Sequence, residues 1–353
     1  MGAIPAWGMF FVGPDQPMQR RAFDLPEPGA GEVIVAVAGC GLCHTDLGFL
    51  SGAVKTRKPP PLVLGHEISG RVIAAGADVR HWLDKAVVVP AVLPCGQCEL
   101  CDAGRDNICQ RQRMPGNDFD GGFASHLCVP ARFLCALPDD LGPFPLAELS
   151  VVADAITTPY QSLLRSGLRA GEVAVVIGVG GVGLYLVQHA RNAGAHVVAV
   201  DVDARRLAIA LAQGAQCAVD AAAVGERELR QHLRDWCRQH ALPENRWRVF
   251  ETSGTAAGQR SAWSLLSHAG TLGVVGFTMD RVELRLSNVM AFDADVFGNW
   301  GCRPAHYPAV VAEVLAGRVQ VRDNVRQYPL ADLNAVVADA RAHRLDRRAV
   351  LVP

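Results

Sequence analysis

An apolar run enters a cluster of glycines near the middle of this 353-residue chain, where the sequence reads Val175-Val176-Ile177-Gly178-Val179-Gly180-Gly181-Val182-Gly183. The glycines fit the spacing G-x-G-x-x-G directly after a predicted strand and before a predicted helix. In that setting Gly178 permits a tight turn, Gly180 lets the backbone approach a pyrophosphate, and Gly183 lets helix and strand pack closely. The N–H groups at the helix start favour bound phosphate. We therefore expect a dinucleotide site that also includes Gly181 and Val182, although the same letters suit a plain turn.

An acidic residue ends the next predicted strand, since Val197–Val200 is followed by Asp201. A carboxylate at this position accepts hydrogen bonds from the adenosine ribose hydroxyls and repels a 2′-phosphate. We therefore expect NAD rather than NADP as the cofactor. Arg205 follows closely and is a candidate cofactor contact. Charged residues at a helix start are more often solvated, however, and together with Arg206 it could weaken the preference for NAD.

Strand and helix alternate from about Gly171 to Val275, in the pattern of a parallel sheet covered by helices on both faces. The first 150 or so residues are instead rich in Gly, Pro, Val and Cys and predict a mostly β domain. We expect an α/β protein with a mostly β domain at residues 1–154 and 298–353 and a doubly wound domain at residues 155–297. The predicted elements are strands at Val33–Ala38, Lys85–Pro90, Val173–Ile177, Val197–Val200, Arg248–Glu251, Thr271–Val275 and Ala349–Val352, with helices to about Asn192, at His306–Leu315 and at Ala331–Ala342.

Composition limits the classes of function. Half of the residues are hydrophobic, 20% are charged, and the formal net charge is −1. A chain with so small a net charge has no overall electrostatic field that would attract it to nucleic acid or to a membrane surface. The sequence shows neither a run of about 18 apolar residues nor the charged flank and apolar core of a signal peptide. We expect a cytoplasmic protein that acts on a small molecule and has no nucleic-acid or membrane partner.

Four of the eleven cysteines lie within fifteen residues, at Cys95, Cys98, Cys101 and Cys109. Disulfides are rare in the cytoplasm, and four thiolates in one loop suit a tetrahedral, closed, structural zinc ion. Three Cys at two-residue gaps also occur in iron–sulfur proteins, but the fourth spacing differs here and no proline follows the last Cys. The cysteines expected to be small buried hydrophobic residues are Cys128, Cys135, Cys217 and Cys237.

A second set of potential metal ligands is dispersed along the chain. Cys43 lies in Gly41-Leu42-Cys43-His44-Thr45-Asp46, and His66 lies in Gly65-His66-Glu67. A single Cys or His is often a packed or surface residue, and by themselves these two could be either. A Cys, a His and a third anionic ligand with one open position are, however, what a catalytic zinc requires.

These motifs occur in the order found in the zinc-dependent medium-chain alcohol dehydrogenases, which the chain resembles over essentially its whole length. The resemblance implies a GroES-like catalytic domain, a Rossmann cofactor domain and an NAD-dependent enzyme that moves a hydride between nicotinamide and an alcohol or ketone carbon. It also implies two zinc ions per chain, one of them held by Cys43 and His66. The family's third catalytic ligand matches Asp154 in Val152-Ala153-Asp154-Ala155-Ile156-Thr157-Thr158, where Asp also suits a helix N-cap.

Further roles follow from the resemblance alone. Thr45 is expected to take the alcohol proton toward solvent, and Glu67 to lie behind the catalytic zinc or coordinate it transiently. Asp46 is expected to orient His66. The histidine that often ends the proton relay is replaced by Gly48, so the proton must leave by water, by the ribose or by another group such as His44. The expected cofactor contacts also include His44, Thr158 and Arg348.

Residues 43–49, 89–96 and 114–126 resemble the 6-hydroxycyclohex-1-ene-1-carbonyl-CoA dehydrogenases within this family. This resemblance implies oxidation of a cyclic alcohol, carried as a CoA thioester, to the 6-oxo thioester in anaerobic benzoyl-CoA degradation. The basic run Lys55-Thr56-Arg57-Lys58 could meet CoA phosphates or form a solvated loop. The alternatives are a general secondary-alcohol or polyol dehydrogenase, a zinc-assisted enoyl-CoA reductase and a non-enzymatic NAD sensor. The family implies a homo-oligomer, a dimer or a tetramer.

Overall fold

The computed structural model describes residues 3–353, which form two compact units. The first comprises the residues up to Thr157 together with Gly301–Gly317 and Val321–Pro353. The second comprises Thr158–Trp300 and Arg318–Gln320. The boundaries expected from the sequence lie after residues 154 and 297, three residues before those observed, and the placement of Arg318–Gln320 in the second unit was not expected.

Strands and helices are numbered in chain order. The strands are β1 (Ile4–Phe11), β2 (Gln19–Leu25), β3 (Glu32–Gly41), β4 (Leu62–Val63), β5 (Glu67–Ala75), β6 (Ala86–Val89), β7 (His126–Pro130), β8 (Cys135–Ala136), β9 (Val173–Ile177), β10 (His196–Asp201), β11 (Cys217–Asp220), β12 (Arg248–Glu251), β13 (Thr271–Val274), β14 (Asp295–Gly298), β15 (Val325–Pro329) and β16 (Arg348–Val352). The α-helices are α1 (His44–Leu50), α2 (Glu99–Asp102), α3 (Thr157–Ser166), α4 (Gly183–Asn192), α5 (Ala204–Ala212), α6 (Glu226–Gln239), α7 (Ala256–Ser264), α8 (Ser287–Ala291), α9 (Tyr307–Leu315) and α10 (Leu333–Arg341). Short 3-10 helices span Ala77–Trp82, Asp106–Ile108, Leu146–Ala153, Pro304–His306, Arg322–Asn324 and Leu330–Asp332.

The first unit is built from sheets whose strands are mostly antiparallel. One has the order β2-β1-β4, and the larger has the order β15-β16-β3-β5-β6-β8, with β7 also paired to β3. The register pairs Gly41, at the end of β3, with Glu67 of β5 and with Val350 of β16. A Cβ at position 41 would lie 2.0 Å from Glu67 Oε2, so glycine is required there. This crossing brings together the segments that contain Cys43, His66 and Arg348.

Alternate residues of the central strands form the core of the first unit. Val33 and Val35 of β3 are fully buried, as are Val87 and Val89 of β6, and all four pack in one cluster. Successive side chains of a strand point to opposite faces, and Ile34 and Val88, which lie between these residues, are fully buried as well, so both faces of the sheet are covered here. Burying one such side chain stabilises the fold by about 1.5–3 kcal/mol, and this core supports the loops that follow β3 and precede β5.

The second unit is a parallel sheet with the strand order β11-β10-β9-β12-β13-β14. All five residues of β9 are buried, because helices cover both faces of the sheet. Val173, Val175 and Ile177 pack into one apolar cluster, and Ala174 and Val176 pack into another. The predicted α/β class, with a mostly β unit and a doubly wound parallel sheet, is confirmed.

The strands expected at Val173–Ile177 and Arg248–Glu251 have the observed bounds. The two C-terminal helices begin later than expected: α9 and α10 start at Tyr307 and Leu333, each after a 3-10 turn. Pro308 lies in the first turn of α9, where its missing N–H leaves no hydrogen bond unmade. Within residues 3–353, no helix is both long enough and apolar enough to cross a bilayer.

Candidate active site and metal centres

Asp46 organises the two loops that carry Cys43 and His66. Its buried carboxylate accepts hydrogen bonds from Cys43 N at 3.0 Å and from Gly65 N at 3.2 Å. Gly65 has a φ of 95°, and a Cβ there would meet Cys40 Sγ at 2.7 Å, so the position requires glycine. One carboxylate therefore holds the backbone at Cys43 and immediately before His66.

His66 faces a carboxylate on each side of its ring. Nδ1 lies 3.6 Å from Asp46 Oδ1, and Nε2 lies 3.6 Å from Asp154 Oδ2. The ring is buried, and neither nitrogen hydrogen-bonds to any residue in the described part of the chain. Burial alone would lower the pKa of His66, but Asp46 and Asp154 reverse that effect and raise the pKa well above its usual value. The surroundings of this ring therefore favour a positive charge.

Cys43, His66, Glu67 and Asp154 each offer one potential ligand atom, and these atoms lie within 4.8 Å of one another. Cys43 Sγ is 3.8 Å from Asp154 Oδ2, which is 3.6 Å from His66 Nε2. Tetrahedral zinc with bonds of ~2.0–2.3 Å places its ligand atoms roughly 3.3–3.8 Å apart. A buried, unpartnered ring nitrogen is also a group that a metal ion would satisfy. The residues present therefore fit a zinc ion.

Glu67 is held by Arg348. Arg348 Nε donates to Glu67 Oε2 at 2.8 Å and Nη2 donates to Oε1, and both side chains are buried. Although burial disfavours charged Arg348, the Glu67 carboxylate raises the pKa of Arg348 above its usual value. A bidentate pair of this kind also fixes the orientation of both groups. Because Glu67 is paired with Arg348, the set of four potential zinc ligands is reduced to three: Cys43, His66 and Asp154.

The residues of α1 named by the sequence analysis lie beside this cluster. Thr45 Oγ1 is 3.8 Å from Cys43 Sγ and half-buried, whereas His44 is exposed. Position 48 is roomy, because a Cβ there would meet only Val54 Cγ2, at 3.7 Å. The structure therefore places Thr45 near the candidate zinc ligands and leaves open space beside Gly48.

The four clustered cysteines form a separate centre in the first unit. Cys98 Sγ lies 3.5 Å from Cys101 Sγ and 3.6 Å from Cys109 Sγ, and Cys95 Sγ lies 4.0 Å from Cys101 Sγ. Tetrahedral zinc with bonds of ~2.3 Å requires sulfur atoms ~3.8 Å apart, whereas a disulfide requires ~2.05 Å. A hydrogen bond from the Cys101 backbone lowers the pKa of Cys98 to about 6, which favours the thiolate. The four residues fit a closed zinc site.

Two arginines that the sequence analysis missed support this loop from outside. Arg132 donates to Cys95 O at 2.9 Å and to Gly96 O at 3.2 Å, and Arg303 Nε lies 2.6 Å from Asp106 Oδ1. Neither is close to the cysteines in sequence, so no local pattern identifies them.

Of the cysteines expected to be buried, Cys128 is only half-buried, because its sulfur lies 3.7 Å from Glu32 Oε2 near the surface. The other three, Cys135, Cys217 and Cys237, are buried.

The glycine turn of the second unit has the geometry that its sequence requires. Gly178 has a φ of 87°, and a Cβ on Gly183 would lie 1.9 Å from Gly178 O. A Cβ on Gly180 would meet nothing nearer than Arg206 Nη1, at 3.7 Å. Two of the glycines are therefore needed by the turn itself, whereas Gly180 leaves its outer side open to a ligand. Gly181 is exposed and Val182 half-buried on the same turn.

Asp201 lies next to this turn at the end of β10. Its Oδ2 accepts from Val179 N at 2.8 Å, and its Oδ1 accepts from Val202 N at 2.8 Å and from Asp203 N at 3.0 Å. Arg205 is directed elsewhere, because its Nη2 lies 2.9 Å from Asp203 Oδ2. The nearer cation is Arg206, whose Nη1 is 4.0 Å from Asp201 Oδ2.

Thr252 and Glu251 also contact or support the glycine turn, and the sequence analysis missed both. Thr252 Oγ1 donates to Gly178 O at 2.6 Å. Glu251 Oε1 accepts from Ser253 N at 2.8 Å and fixes the loop in which Thr252 lies. A Thr-Ser-Gly-Thr segment immediately after the β12 strand was the available signal. Thr158 is buried, and its carbonyl accepts a hydrogen bond from Asn299.

The basic run at residues 55–58 is partly neutralised. Arg57 Nη1 lies 3.2 Å from Asp118 Oδ1, and Lys58 Nζ lies 2.7 Å from Asp120 Oδ2. Lys55 is exposed. The run therefore carries less unpaired positive charge than its sequence indicates.

Two protein families match the chain. The alcohol dehydrogenase GroES-like domain matches residues 29–139, and the zinc-binding dehydrogenase family matches residues 181–316. An alcohol dehydrogenase of Rhizobium meliloti (strain 1021) is 30% identical over 339 residues, which are 95% of each chain. The solved alcohol dehydrogenase of the archaeon Aeropyrum pernix has a TM-score of 0.88 at 27% identity and covers 98% of this chain and 100% of its own. A zinc-binding dehydrogenase of Sinorhizobium meliloti 1021, bound to NADP, has a TM-score of 0.87 at 25% identity over 99% of this chain and 100% of its own.

Proposed function

We infer that this chain is an oxidoreductase that acts on CH–OH groups, because it belongs to the zinc-type medium-chain alcohol dehydrogenase family. We propose that it oxidises a secondary alcohol or polyol with NAD, at a zinc ion held by Cys43, His66 and Asp154. The observation that carries the proposal is the convergence of these donors around the buried, unpartnered Nε2 of His66. We also propose a second, structural zinc ion in the four-cysteine loop.

The roles of the chain's own residues follow from their contacts. A zinc ion in this site would act as a Lewis acid that lowers the pKa of an alcohol. Asp46 orients the loops that carry Cys43 and His66, and Arg348 fixes the orientation of the Glu67 carboxyl group beside them. Thr45 accepts the hydroxyl proton of the substrate on Oγ1 while it gives up its own hydroxyl proton, and in the absence of a histidine at position 48 the released proton passes to water or to exposed His44.

Asp201 supports NAD as the cofactor. Three backbone N–H groups occupy its carboxylate, which leaves about one of roughly four lone-pair sites for a ribose hydroxyl. Its negative charge opposes a 2′-phosphate, although Arg206 at 4.0 Å reduces that effect. We expect Asp201→Ala to shift the ratio of kcat/KM for NAD over NADP toward NADP. An unchanged ratio would show that another residue discriminates between the two cofactors.

The narrower substrate, 6-hydroxycyclohex-1-ene-1-carbonyl-CoA, rests on the subfamily resemblance of three segments. Lys55 is the basic residue best placed to meet CoA phosphates, since Arg57 and Lys58 have carboxylate partners. Remote binding energy of this kind should raise kcat as well as binding. A higher kcat/KM for the CoA thioester than for the free ring alcohol would support this substrate. Equal values would favour a general secondary-alcohol or polyol dehydrogenase, and reduction of the enoyl thioester would favour the reductase.

Large apolar side chains are exposed around β14, the edge strand of the parallel sheet. Phe277, Met290 and Trp300 are 64%, 77% and 51% exposed, respectively. An exposed, apolar edge strand is a template for pairing with another chain. We therefore propose a homo-oligomer assembled through this edge. Val296→Lys should shift the mass measured by light scattering toward the monomer, and an unchanged mass would place the interface elsewhere.

The central experiment combines zinc content with NAD reduction on a panel of alcohols. We expect two zinc ions per wild-type chain, and one per chain together with no turnover for Cys43→Ala. NADH binding should persist in this variant, because the glycine turn is untouched. Cys128→Ala is the matched control: it removes a thiol outside both clusters and should keep two zinc ions and full activity. Turnover by Cys43→Ala at the wild-type rate would refute the proposed site.

A further inference from the structure

Tyr307 belongs to none of the motifs of this protein, yet it is among the largest fully buried side chains. It is the first residue of α9, in the first unit. Its hydroxyl donates to Ala153 O and accepts from Ala91 N at 3.3 Å. A buried phenol normally has such partners, so the hydrogen bonds alone indicate no function. A function is indicated by which backbone groups these partners are.

Ala153 is the last residue of the 3-10 helix Leu146–Ala153, and Asp154 follows it. The carbonyl that receives the Tyr307 hydroxyl therefore belongs to the peptide group joined to Asp154. The same carbonyl accepts from Ala91 N at 3.4 Å. Carbonyl groups at the end of a helix lack partners within the helix, so outside donors determine how they are held. Tyr307 and Ala91 are those donors here.

We propose that Tyr307 is a positioning residue for the catalytic metal, because it holds the Ala153–Asp154 peptide and so determines where the Asp154 carboxylate lies. This inference rests on the proposed role of Asp154 as a zinc ligand. Cys43 and His66 are held independently, through the hydrogen bonds of Asp46. Thr157 Oγ1 donates to Asp154 O at 3.5 Å on the following side, whereas Tyr307 holds the peptide that precedes Asp154. Asp154 Oδ2, at 3.6 Å from His66 Nε2 and 3.8 Å from Cys43 Sγ, is therefore the metal donor whose position Tyr307 affects.

Tyr307→Phe tests this role, because it keeps the ring and removes the hydroxyl. Groups that support a metal ligand contribute about 10- to 100-fold to metal affinity. We expect the full-length variant to bind Co²⁺ at the catalytic site about 10- to 100-fold more weakly than the wild type, measured by competition with a chelator. Affinity at the four-cysteine site should not change. Cys43→Ala, followed by the same cobalt absorption, identifies which spectral bands belong to the catalytic site.

Ser69→Ala is the matched control. Ser69 Oγ is buried and donates to Leu146 O at 2.6 Å, so it makes the same kind of bond at the opposite end of the same 3-10 helix. Both variants should lower the melting temperature, but only Tyr307→Phe should weaken metal binding and shift the cobalt bands of the catalytic site. Equal weakening by both, or no weakening by Tyr307→Phe, would overturn the proposal.

A double-variant cycle shows whether Tyr307 acts through Asp154. In an Asp154→Ala background, Tyr307→Phe should have no further effect on cobalt affinity, and an additive loss would contradict the proposed route. Asp154→Ala with wild-type affinity would instead refute the proposed ligand set, independently of Tyr307. Tyr307→Met, which fills the space flexibly without a hydroxyl, is the second variant. If neither Tyr307 variant folds, the residue acts on folding rather than on the metal, and the proposal is wrong.

Discussion

Removing the side-chain hydroxyl of Thr252 should weaken NADH binding. Thr252 Oγ1 donates to Gly178 O at 2.6 Å and lies 3.0 Å from Ile177 O. A Cβ on Gly183 would lie 2.6 Å from Thr252 Oγ1, so the Thr252 hydroxyl also packs against the start of α4. Thr252→Val keeps the branched shape and removes the hydrogen bond that ties the glycine turn to the next strand along the sheet.

The size of the effect follows from the acceptor that is left unpaired. A buried carbonyl that loses its donor costs about 1–3 kcal/mol. In the free Thr252→Val variant, the glycine turn can relax by moving away from its native position. NADH must then restore the native turn when it binds, so the free energy of this change raises the dissociation constant. At ~1.4 kcal/mol per tenfold change, NADH binding should weaken by about 5- to 140-fold.

The assay is a fluorescence titration of the full-length protein with NADH, accompanied by thermal melting. Thr252→Ser keeps the hydroxyl and should restore most of the affinity. Thr255→Val is the matched control, because Thr255 caps α7 by accepting from Gly258 N at 2.9 Å. Loss of that cap should lower the melting temperature but leave NADH affinity unchanged. Thr252→Val with wild-type affinity, or an equal loss in Thr255→Val, would refute the reasoning.

Three further changes have expected outcomes. Cys98→Ser should lower the melting temperature strongly and reduce the zinc content by one ion per chain, because a structural zinc contributes folding free energy. Gly48→Ala, at an open position within α1, should stabilise the protein by roughly 1 kcal/mol and raise the melting temperature by a few degrees. Glu172→Gln should destabilise the protein at pH 7: burial opposes ionisation of Glu172, but hydrogen bonds from Arg248 and Arg169 outweigh it and lower the pKa. The stabilisation by Glu172 is present above the unfolded pKa of ~4.3 and is lost as the pH falls through the lower folded value, so the two melting temperatures should converge in acid.

Each of these outcomes has a counterpart that would contradict it. Wild-type melting with lost turnover in Cys98→Ser would mean that the two proposed zinc sites are exchanged. A lower melting temperature for Gly48→Ala would mean that position 48 is not the open helical site that its Cβ contacts indicate. A gap between Glu172→Gln and the wild type that is the same at pH 7 and pH 3 would show that the ionised carboxylate contributes nothing.

Most of what could be predicted from the sequence came from motifs whose residues lie close together in the chain. The glycines at residues 178–183 and the four cysteines within residues 95–109 act inside one turn and one loop, so their order in the chain is nearly their order in space. The alternation of strands and helices after Gly171 likewise predicted the parallel sheet. Asp154 was different, because only the family resemblance indicated it. By local pattern it could equally have been a helix cap.

The sequence by itself determined the glycine turn and the four-cysteine loop, because each depends on residues a few positions apart, and it determined the fold class through the order of its strands and helices. Only the tertiary structure decided that Arg348 holds Glu67, 281 positions away, and that Tyr307 reaches Ala153, 154 positions away. Those contacts arise where β3, β5 and β16 meet at Gly41 and where α9 packs near the end of the 3-10 helix. Strand register and helix packing set them, and both result from burial summed over the whole core rather than from any short segment of the chain.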